Sequence, residues 1–461
     1  MGKYFGLDGF RGEANVTLTA EHAFKIGRFL GWYFCKLRRR SGIEGPARIL
    51  IGKDTRRSSY MLEANLIGGL VASGADAYQL HVAPIPAVSY IVRTDGFDCG
   101  IMVSASHNPY YDNGIKLFGS TGEKLDEETI TLVEDYLDGN LSAFGRDFKE
   151  LPLAQRNRIG RSVDYVAGRN RYIGYLISLG LYSFQDVKVG LDCANGSGWI
   201  TAKAVFDALG AKTYVMNAEP NGYNINENCG SNHVEQLQRF VLEKHLDVGF
   251  AYDGDADRCI AVDERGGIVT GDHILYICGA YMKNKGLLQN NTIVTTVMSN
   301  AGLYLALDEL GIQYEKTAVG DRHVYEYMKD HKCVLGGEQN GHILMTRYGT
   351  CGDGILTSLK IMEIMMDLGR PLSKLYENFN FYPQITRSIR VSDRDAAAND
   401  PEVQQIVRES AEALSGKGRV LVRASQTEPV VRVMVEAPKE AVCEEHINKI
   451  LWKIREKGYQ N

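Results

Sequence analysis

The chain has 461 residues, room for about three domains at roughly 150 residues each. Hydrophobic residues make up 44%, charged residues 24%, and the net charge is −5, which excludes collagen-like, disordered and coiled-coil chains. A dedicated nucleic-acid binder would be basic, so that class loses weight too. Glycine contributes 49 residues, above the roughly 7% usual, and points to many tight turns and close backbone approaches. No apolar run of 18 or more residues is present, so no membrane helix is expected. The N-terminal MGKYFGLDGFRG lacks the apolar stretch of a secretory signal, and Gly6 breaks the myristoylation pattern. The nine cysteines are scattered with no CxxC, which disfavours a disulfide framework or a zinc site and suits a reducing cytoplasm.

In chain order, three segments share one pattern: an apolar run, a polar or glycine loop, a helical stretch and a second β-rich run. The first starts at Arg48, with a helix near 58–73 and a strand over 77–82. The second starts at Val187, with a helix near 198–209 and a strand over 211–216. The third starts at Thr292, with a helix near 301–310 and a strand over 312–317. This is βαβ grammar used three times, and it predicts three related mixed α/β domains. The remainder reads β-α-β-β-α: a strand over 384–391, a helix over 401–414, strands over 419–423 and 430–436, and a helix over 439–457. That order predicts a smaller α+β domain. Linkers are expected at 139–161 and 369–383. The expected domains are 1–150, 151–258, 259–370 and 371–461, with the Gly266-Gly267 and Gly271 turns a second place for the middle boundary.

Four loops could carry chemistry. Asp253-Gly-Asp-Ala-Asp-Arg258 follows the buried-looking run 248–252, and alternation on a curved loop can aim three carboxylates at one point. Oxygen donors suit Mg²⁺ or Ca²⁺ rather than zinc, and a cation would relieve their repulsion; an acidic turn after a strand is the plain alternative. The EF-hand ligand pattern between Asp253 and Glu264 is absent. Ser104-Ala-Ser-His-Asn-Pro109 ends the run 99–103, where a serine on the turn would be exposed; alone such a segment is more often an ordinary turn, and it is not the GxSxG elbow. Lys116, in Asp112-Asn-Gly-Ile-Lys116, is a phosphate partner, a base or a solvated lysine. Gly336-Gly-Glu-Gln-Asn-Gly-His342 offers a carboxylate, amides and an imidazole suited to sugar hydroxyls, or a polar hairpin turn. Arg423-Ala-Ser-Gln-Thr-Glu-Pro-Val-Val-Arg432 offers a phosphate cradle or an ordinary connection between strands. Arg11, in Gly6-Leu-Asp-Gly-Phe-Arg-Gly12, is one more candidate anion ligand. No Walker A loop or GxGxxG occurs.

Together, and in this order, these loops resemble the α-D-phosphohexomutase family from Gly6 to about Glu436, and most of all its bacterial branch acting on glucosamine phosphate. Asp112-Asn-Gly-Ile-Lys116, Val319-Gly-Asp-Arg322 and Thr427-Glu-Pro-Val-Val-Arg-Val-Met-Val-Glu436 add to the likeness. The resemblance implies four domains around a central cleft, three related mixed α/β domains plus a C-terminal TATA-binding-protein-like α+β domain. It implies that Ser106 carries a phosphoryl group, and that Asp253, Asp255 and Asp257, with a phosphate oxygen on Ser106, hold one Mg²⁺. Arg11 and Lys116 would flank the reacting phosphate, with Lys116 a general acid or base. Glu338 and Asn340 would hold sugar hydroxyls, with His342 beside them in a proton-transfer role. Arg423, Ser425, Thr427 and Arg432 would grip the phosphate that does not react.

The implied reaction interconverts glucosamine 6-phosphate and glucosamine 1-phosphate through phosphoserine, with glucosamine 1,6-bisphosphate as intermediate and activator. A mutase for glucose or mannose phosphates is the alternative. The implied partner is a small sugar phosphate, with no nucleic acid or membrane, and a homodimer is compatible. Leu7, Phe10, Asn340 and Gln426 stand where that branch usually has Thr, Ile, Ser and Gly, which bears on the choice of sugar. A phosphatase using Asp253 as nucleophile is disfavoured, because its motif wants Thr or Val where Asp257 stands. A non-catalytic sugar-phosphate binder is disfavoured by the intact Ser106, three aspartates and Lys116.

Overall fold

A computed structural model describes residues 2–144, 150–414, 418–425 and 429–460. The chain forms two compact units, Met1–Val297 with Glu315–Tyr376, and Met298–Tyr314 with Glu377–Asn461. Among the described residues the strands fall into four sheets.

The first sheet has the spatial order Phe5–Gly6, Gly9–Glu13, Asp112–Gly119, Cys99–Val103, Arg48–Lys53, Asp76–Val82, Ser162–Asp164. Its centre is parallel, and Asp112–Gly119 joins antiparallel to Cys99–Val103. Cys99–Val103 is buried at every position, as a strand covered on both faces should be. Helices Ala20–Arg40 and Arg57–Ala72 pack against one another at very close range; a Cβ on Gly27 would lie 2.3 Å from the Leu66 carbonyl oxygen, so only glycine fits. Phe29, Leu66, Leu70, Ile49 and Ile101 belong to the core there.

The second sheet runs Ile268–Val269, Cys259–Asp263, Val248–Tyr252, Lys188–Asp192, Lys212–Met216. Val248–Tyr252 is parallel to Lys188–Asp192 and antiparallel to Cys259–Asp263. Tyr252 pairs with Cys259, so residues 253–258 form the loop of a hairpin. The sheet therefore continues past Arg258, the expected domain end, to Val269 beside the Gly271 turn. The third sheet runs Gln313–Thr317, Thr292–Thr296, Leu335–Gly337, Ile343–Leu344, and Gly337 pairs with Ile343 to make a second hairpin over 338–342.

The three repeats appear as expected, with helices Arg57–Ala72, Trp199–Ala208 and Ala301–Glu309 and strands Asp76–Val82, Lys212–Met216 and Gln313–Thr317. Helix Gly354–Leu368 carried no periodic signal, because it is buried at every position from Gly354 to Met365, with Lys360 and Glu363 paired inside it, so no polar face marks it in sequence.

The second unit holds an antiparallel sheet in the order Gln384–Arg390, Val430–Glu436, Arg419–Ala424. Val431, Val433 and Val435 face Ile447, Ile450 and Ile454 of helix Glu440–Glu456 in one core. Helix Pro401–Ala413 follows the expected order, and the short helix Arg394–Asn399, capped by Asp393, adds an element the pattern did not show.

Candidate active site

The serine loop leaves strand Cys99–Val103 and turns sharply, with Ser106 in the left-handed region at φ 53°. Ser106 is only 1% exposed, which corrects the expectation of an exposed turn serine. The acidic hairpin loop covers it: a Cβ on Gly254 would stand 2.5 Å from the Ser106 carbonyl oxygen. The turn is also held from behind. The Ser106 N–H donates to Ser104 Oγ at 2.9 Å. The carbonyls of Ser106 and Asn108 both accept from Arg56 Nη2, at 3.1 and 2.5 Å, and from Asn226 Nδ2, at 2.8 and 3.0 Å. Arg56 is fully buried and ion-paired with Asp54.

The hairpin loop brings Asp253, Asp255 and Asp257 together, all buried, with one oxygen of each within 4.8 Å of the others. Ser106 Oγ donates to Asp253 Oδ2 at 2.5 Å. Asp255 Oδ1 and Asp257 Oδ1 are buried and have no hydrogen-bond partner. Buried acceptors that converge without donors fit a hard divalent cation, which takes oxygen ligands. Burial, Asp257 and Asp255 push the Asp253 carboxyl well above its ordinary range. Burial would raise Asp257 as well, but His342, Lys116 and Arg258 hold it well below.

Lys116 projects from strand Asp112–Gly119, opposite Met102, and is buried rather than solvated. Its Nζ donates to Asp255 Oδ2 at 2.7 Å and lies 3.9 Å from Asp257 Oδ2. Burial works against its charge, yet Asp255 and Asp257 raise the ammonium above its ordinary value. The second hairpin meets the acidic loop through an Arg258–His342 bridge. His342 Nδ1 is 3.5 Å from Asp257 Oδ2, and Nε2 is 3.6 Å from Asp321 Oδ2. Burial would lower the imidazole, but Asp257, Asp321 and Glu338 raise it to about 9. Asn340 shapes its own turn: its Oδ1 accepts from the His342 N–H at 3.0 Å, and its Nδ2 is 3.5 Å from Glu338 Oε2. Arg11 lies on strand Gly9–Glu13 opposite Gly114 and sits 3.5 Å from Asp8. A Cβ on Gly114 would touch both the Ser104 carbonyl and Arg11 Cγ, which places the Arg11 stem beside the serine loop.

With this geometry in place, four family descriptions match the chain in order. Phosphoglucomutase/phosphomannomutase alpha/beta/alpha domain I covers residues 2–143, domain II 170–267, domain III 270–382, and the C-terminal domain 388–450. A phosphoglucosamine mutase of Lachnospira eligens is 59% identical over 459 residues, covering 100% of each chain. The chain belongs to the phosphoglucomutase/phosphomannomutase family. Two solved folds agree. A phosphoglucomutase/phosphomannomutase family protein from Burkholderia thailandensis superposes at TM-score 0.77 with 21% identity, covering 99% of this chain and 98% of its own. The N-acetylphosphoglucosamine mutase of Aspergillus fumigatus, solved with GlcNAc-6P and magnesium, gives 0.63 at 17% identity, covering 98% and 95%. Among the described residues no helix is long and apolar enough to cross a membrane.

In the second unit of this phosphohexomutase, Arg423 and Arg432 face one another directly across adjacent strands. Like charges so placed repel, and an anion bound between them would relieve the repulsion. Ser425 is buried, and its N–H donates to the Val430 carbonyl at 2.9 Å. Thr427 and Gln426 lie outside the described residues. Arg56, Asn226, Arg258, Asp321 and Lys124 join the networks around the site, although only the loops that contain some of them stood out in the sequence. Asp54-Thr55-Arg56 does follow an apolar run at a strand end, which is where ligand loops sit; Asn226 carries no such signal. Lys124 donates to Asp321 at 2.6 Å and so fixes the carboxylate behind His342.

Proposed function

We propose that this phosphohexomutase interconverts glucosamine 6-phosphate and glucosamine 1-phosphate through phospho-Ser106 and glucosamine 1,6-bisphosphate. One observation carries the chemistry: a buried serine hydroxyl bonded at 2.5 Å to a three-aspartate cluster in which Asp255 Oδ1 and Asp257 Oδ1 are buried without donors. The identity of 59% over the whole chain to a phosphoglucosamine mutase supports the sugar. Asp253, Asp255 and Asp257, with an oxygen on Ser106, would hold Mg²⁺, which when bound would offset charge on the transferring phosphoryl group.

In the first half-reaction the bond from phosphorus to Ser106 Oγ breaks and a bond to sugar O1 forms. One proton leaves O1 and one arrives at Oγ, so none is gained or lost overall. Lys116, charged at rest, gives a proton to departing Oγ and recovers one from O1. His342, protonated with its pKa near 9, adds positive charge beside the reacting group. Arg11 steadies the phosphate, and Glu338 and Asn340 take sugar hydroxyls. The bisphosphate then turns end for end and returns its other phosphoryl group to Ser106. Arg423, Ser425, Thr427 and Arg432 hold whichever phosphate is idle. Burial of Ser106 keeps water from the phosphoserine.

The test compares kcat/KM for glucosamine, glucose and mannose 6-phosphates with Mg²⁺ and the matching 1,6-bisphosphates. A strong preference for the glucosamine ester is expected. A preference for glucose or mannose would move the assignment to the neutral sugars and trace it to Asn340 and Gln426.

A further inference from the structure

The first unit contains a cavity of about 470 Å³ whose lining includes Thr55, Arg57, Tyr60, His81, Arg169 and Trp199. It lies at the C-terminal ends of parallel strands: His81 is the penultimate residue of Asp76–Val82, and Thr55 stands two residues past Arg48–Lys53. That edge is where α/β sheets bind ligands. Three helices also begin at it. Arg57 opens Arg57–Ala72, Trp199 opens Trp199–Ala208, and Arg169 sits in the first turn of Val166–Ser178. None of the three has a capping side chain, although the Arg57 N–H donates to the Gly222 carbonyl at 3.1 Å, so no side chain offsets their positive dipole ends at this edge.

The side chains add to the same sign. No Asp or Glu lines the cavity among the described residues. Arg169 has a buried Nε without a partner, and its Nη1 reaches only the Val82 carbonyl, at a long 3.4 Å. Arg57 makes a cation–π contact with Tyr223 at 5.6 Å. The nearest carboxylate to His81 Nε2 is Asp164, at 3.4 Å and largely exposed. Two guanidiniums, an imidazole and three helix N-termini form a receptor for an anion. Tyr60 and Trp199 add two aromatic faces, and the volume suits a small metabolite.

We propose that this cavity binds a nucleotide, with its phosphate on Arg57 and Arg169 and its base against Tyr60 and Trp199. None of these residues takes part in the contacts around Ser106, so the site is separate from the phosphoryl-transfer machinery and does not depend on the assigned substrate. The full-length protein would be titrated with AMP, UMP and inorganic phosphate while its tryptophan fluorescence is followed. Saturable quenching by the nucleotides is expected, at least about tenfold tighter than by phosphate. Trp199→Phe should remove the signal while calorimetry still detects binding. Arg57→Gln with Arg169→Gln should weaken binding about a hundredfold, and Arg169→Gln alone, which keeps a good helix former, about tenfold should the double variant fail to fold. No saturable binding at millimolar nucleotide, or affinity unchanged in both arginine variants, would overturn the proposal. Phosphate binding as tightly as AMP would overturn the role given to the base.

Discussion

Replacing Arg56 by Lys tests whether the reactive serine is positioned by a clamp behind its turn. Lysine has a single nitrogen, so it cannot hold Asp54 and reach the Ser106 and Asn108 carbonyls at once, as the Nη1 and Nη2 of Arg56 do. Hydrogen bonds from charged donors contribute about 1.5–3 kcal/mol each, and Asn226 still reaches both oxygens, so the net loss is set at about 2 kcal/mol. Ser106 has a φ of 53°, a left-handed conformation that disfavours a residue with a Cβ by roughly 1–2 kcal/mol. The lost bonds thus match the strain they hold. By that arithmetic the aligned turn loses up to about 30-fold in population. A coupled mutase assay should show kcat down about 10- to 30-fold with KM within about threefold, since sugar contacts are untouched. Thermal melts would report the stability change in parallel. A melt shifted down with kcat intact would refute the clamp and leave Arg56 as a stabilising residue alone. Combining the change with Asn226→Ala should give a coupling above about 0.5 kcal/mol, because both side chains serve the same two carbonyls.

Ser106→Ala should abolish turnover and incorporation of labelled phosphate while leaving glucosamine 6-phosphate binding largely intact; residual turnover would exclude the phosphoserine route. Asp255→Asn removes the carboxylate that pairs with Lys116 at 2.7 Å, and should lower kcat about a hundredfold or more and weaken Mg²⁺ binding in calorimetry. His273 caps helix Gly271–Asn284 by accepting from the Thr270 N–H at 3.2 Å, and burial lowers its pKa from 6.5 to about 4. Its folded pKa is depressed, so the unfolded chain takes up the proton first, and stability is lost as pH falls from about 6.5 toward 4, by up to about 3 kcal/mol. His273→Gln preserves the capping pattern and should flatten that part of the pH–stability curve; an unchanged slope would remove His273 as its source.

The three βαβ repeats were legible because parallel strands buried on both faces read as apolar runs, and Arg48–Lys53 and Lys188–Asp192 are of that kind. The two hairpins were less legible. Their turns hold Asp253-Gly-Asp-Ala-Asp-Arg258 and Glu338-Gln-Asn-Gly-His342, which keep reactive groups in place of the usual two-residue turn chemistry. Ser106 was read as exposed because its cover comes from Gly254 and Asp253, far along the chain, and no local window contains both. Arg56 and Asn226 stayed hidden for the same reason, being 50 and 120 residues from Ser106 in sequence. Lys116 was ambiguous until the hairpin loop closed over it, since burial beside Asp255 separates a functional lysine from a solvated one.

The charges of the assembled site set a condition on what can enter it. Asp253, Asp255 and Asp257 are faced by Lys116, His342 and Arg258, all three held protonated by those carboxylates. Asp253, pushed up by burial and its neighbours, keeps its proton, while Asp321 and buried Glu338 add two carboxylates and Lys124 pairs with Asp321, so the buried cluster is close to neutral at rest. A phosphoserine would add about −1.5 to −2 and a divalent cation +2. Either alone leaves a surplus of about two charges in a buried site, where a pair of unit charges 4 Å apart interacts by about 4 kcal/mol at an effective dielectric of 20. Both together restore the balance. Mg²⁺ should therefore bind more tightly to the phosphorylated enzyme than to Ser106→Ala, by calorimetry on each form without substrate. Equal affinities would mean that solvent rather than these side chains sets the local charge, and that the protonation of Lys116 and His342 is no guide to how the site handles its phosphoryl group.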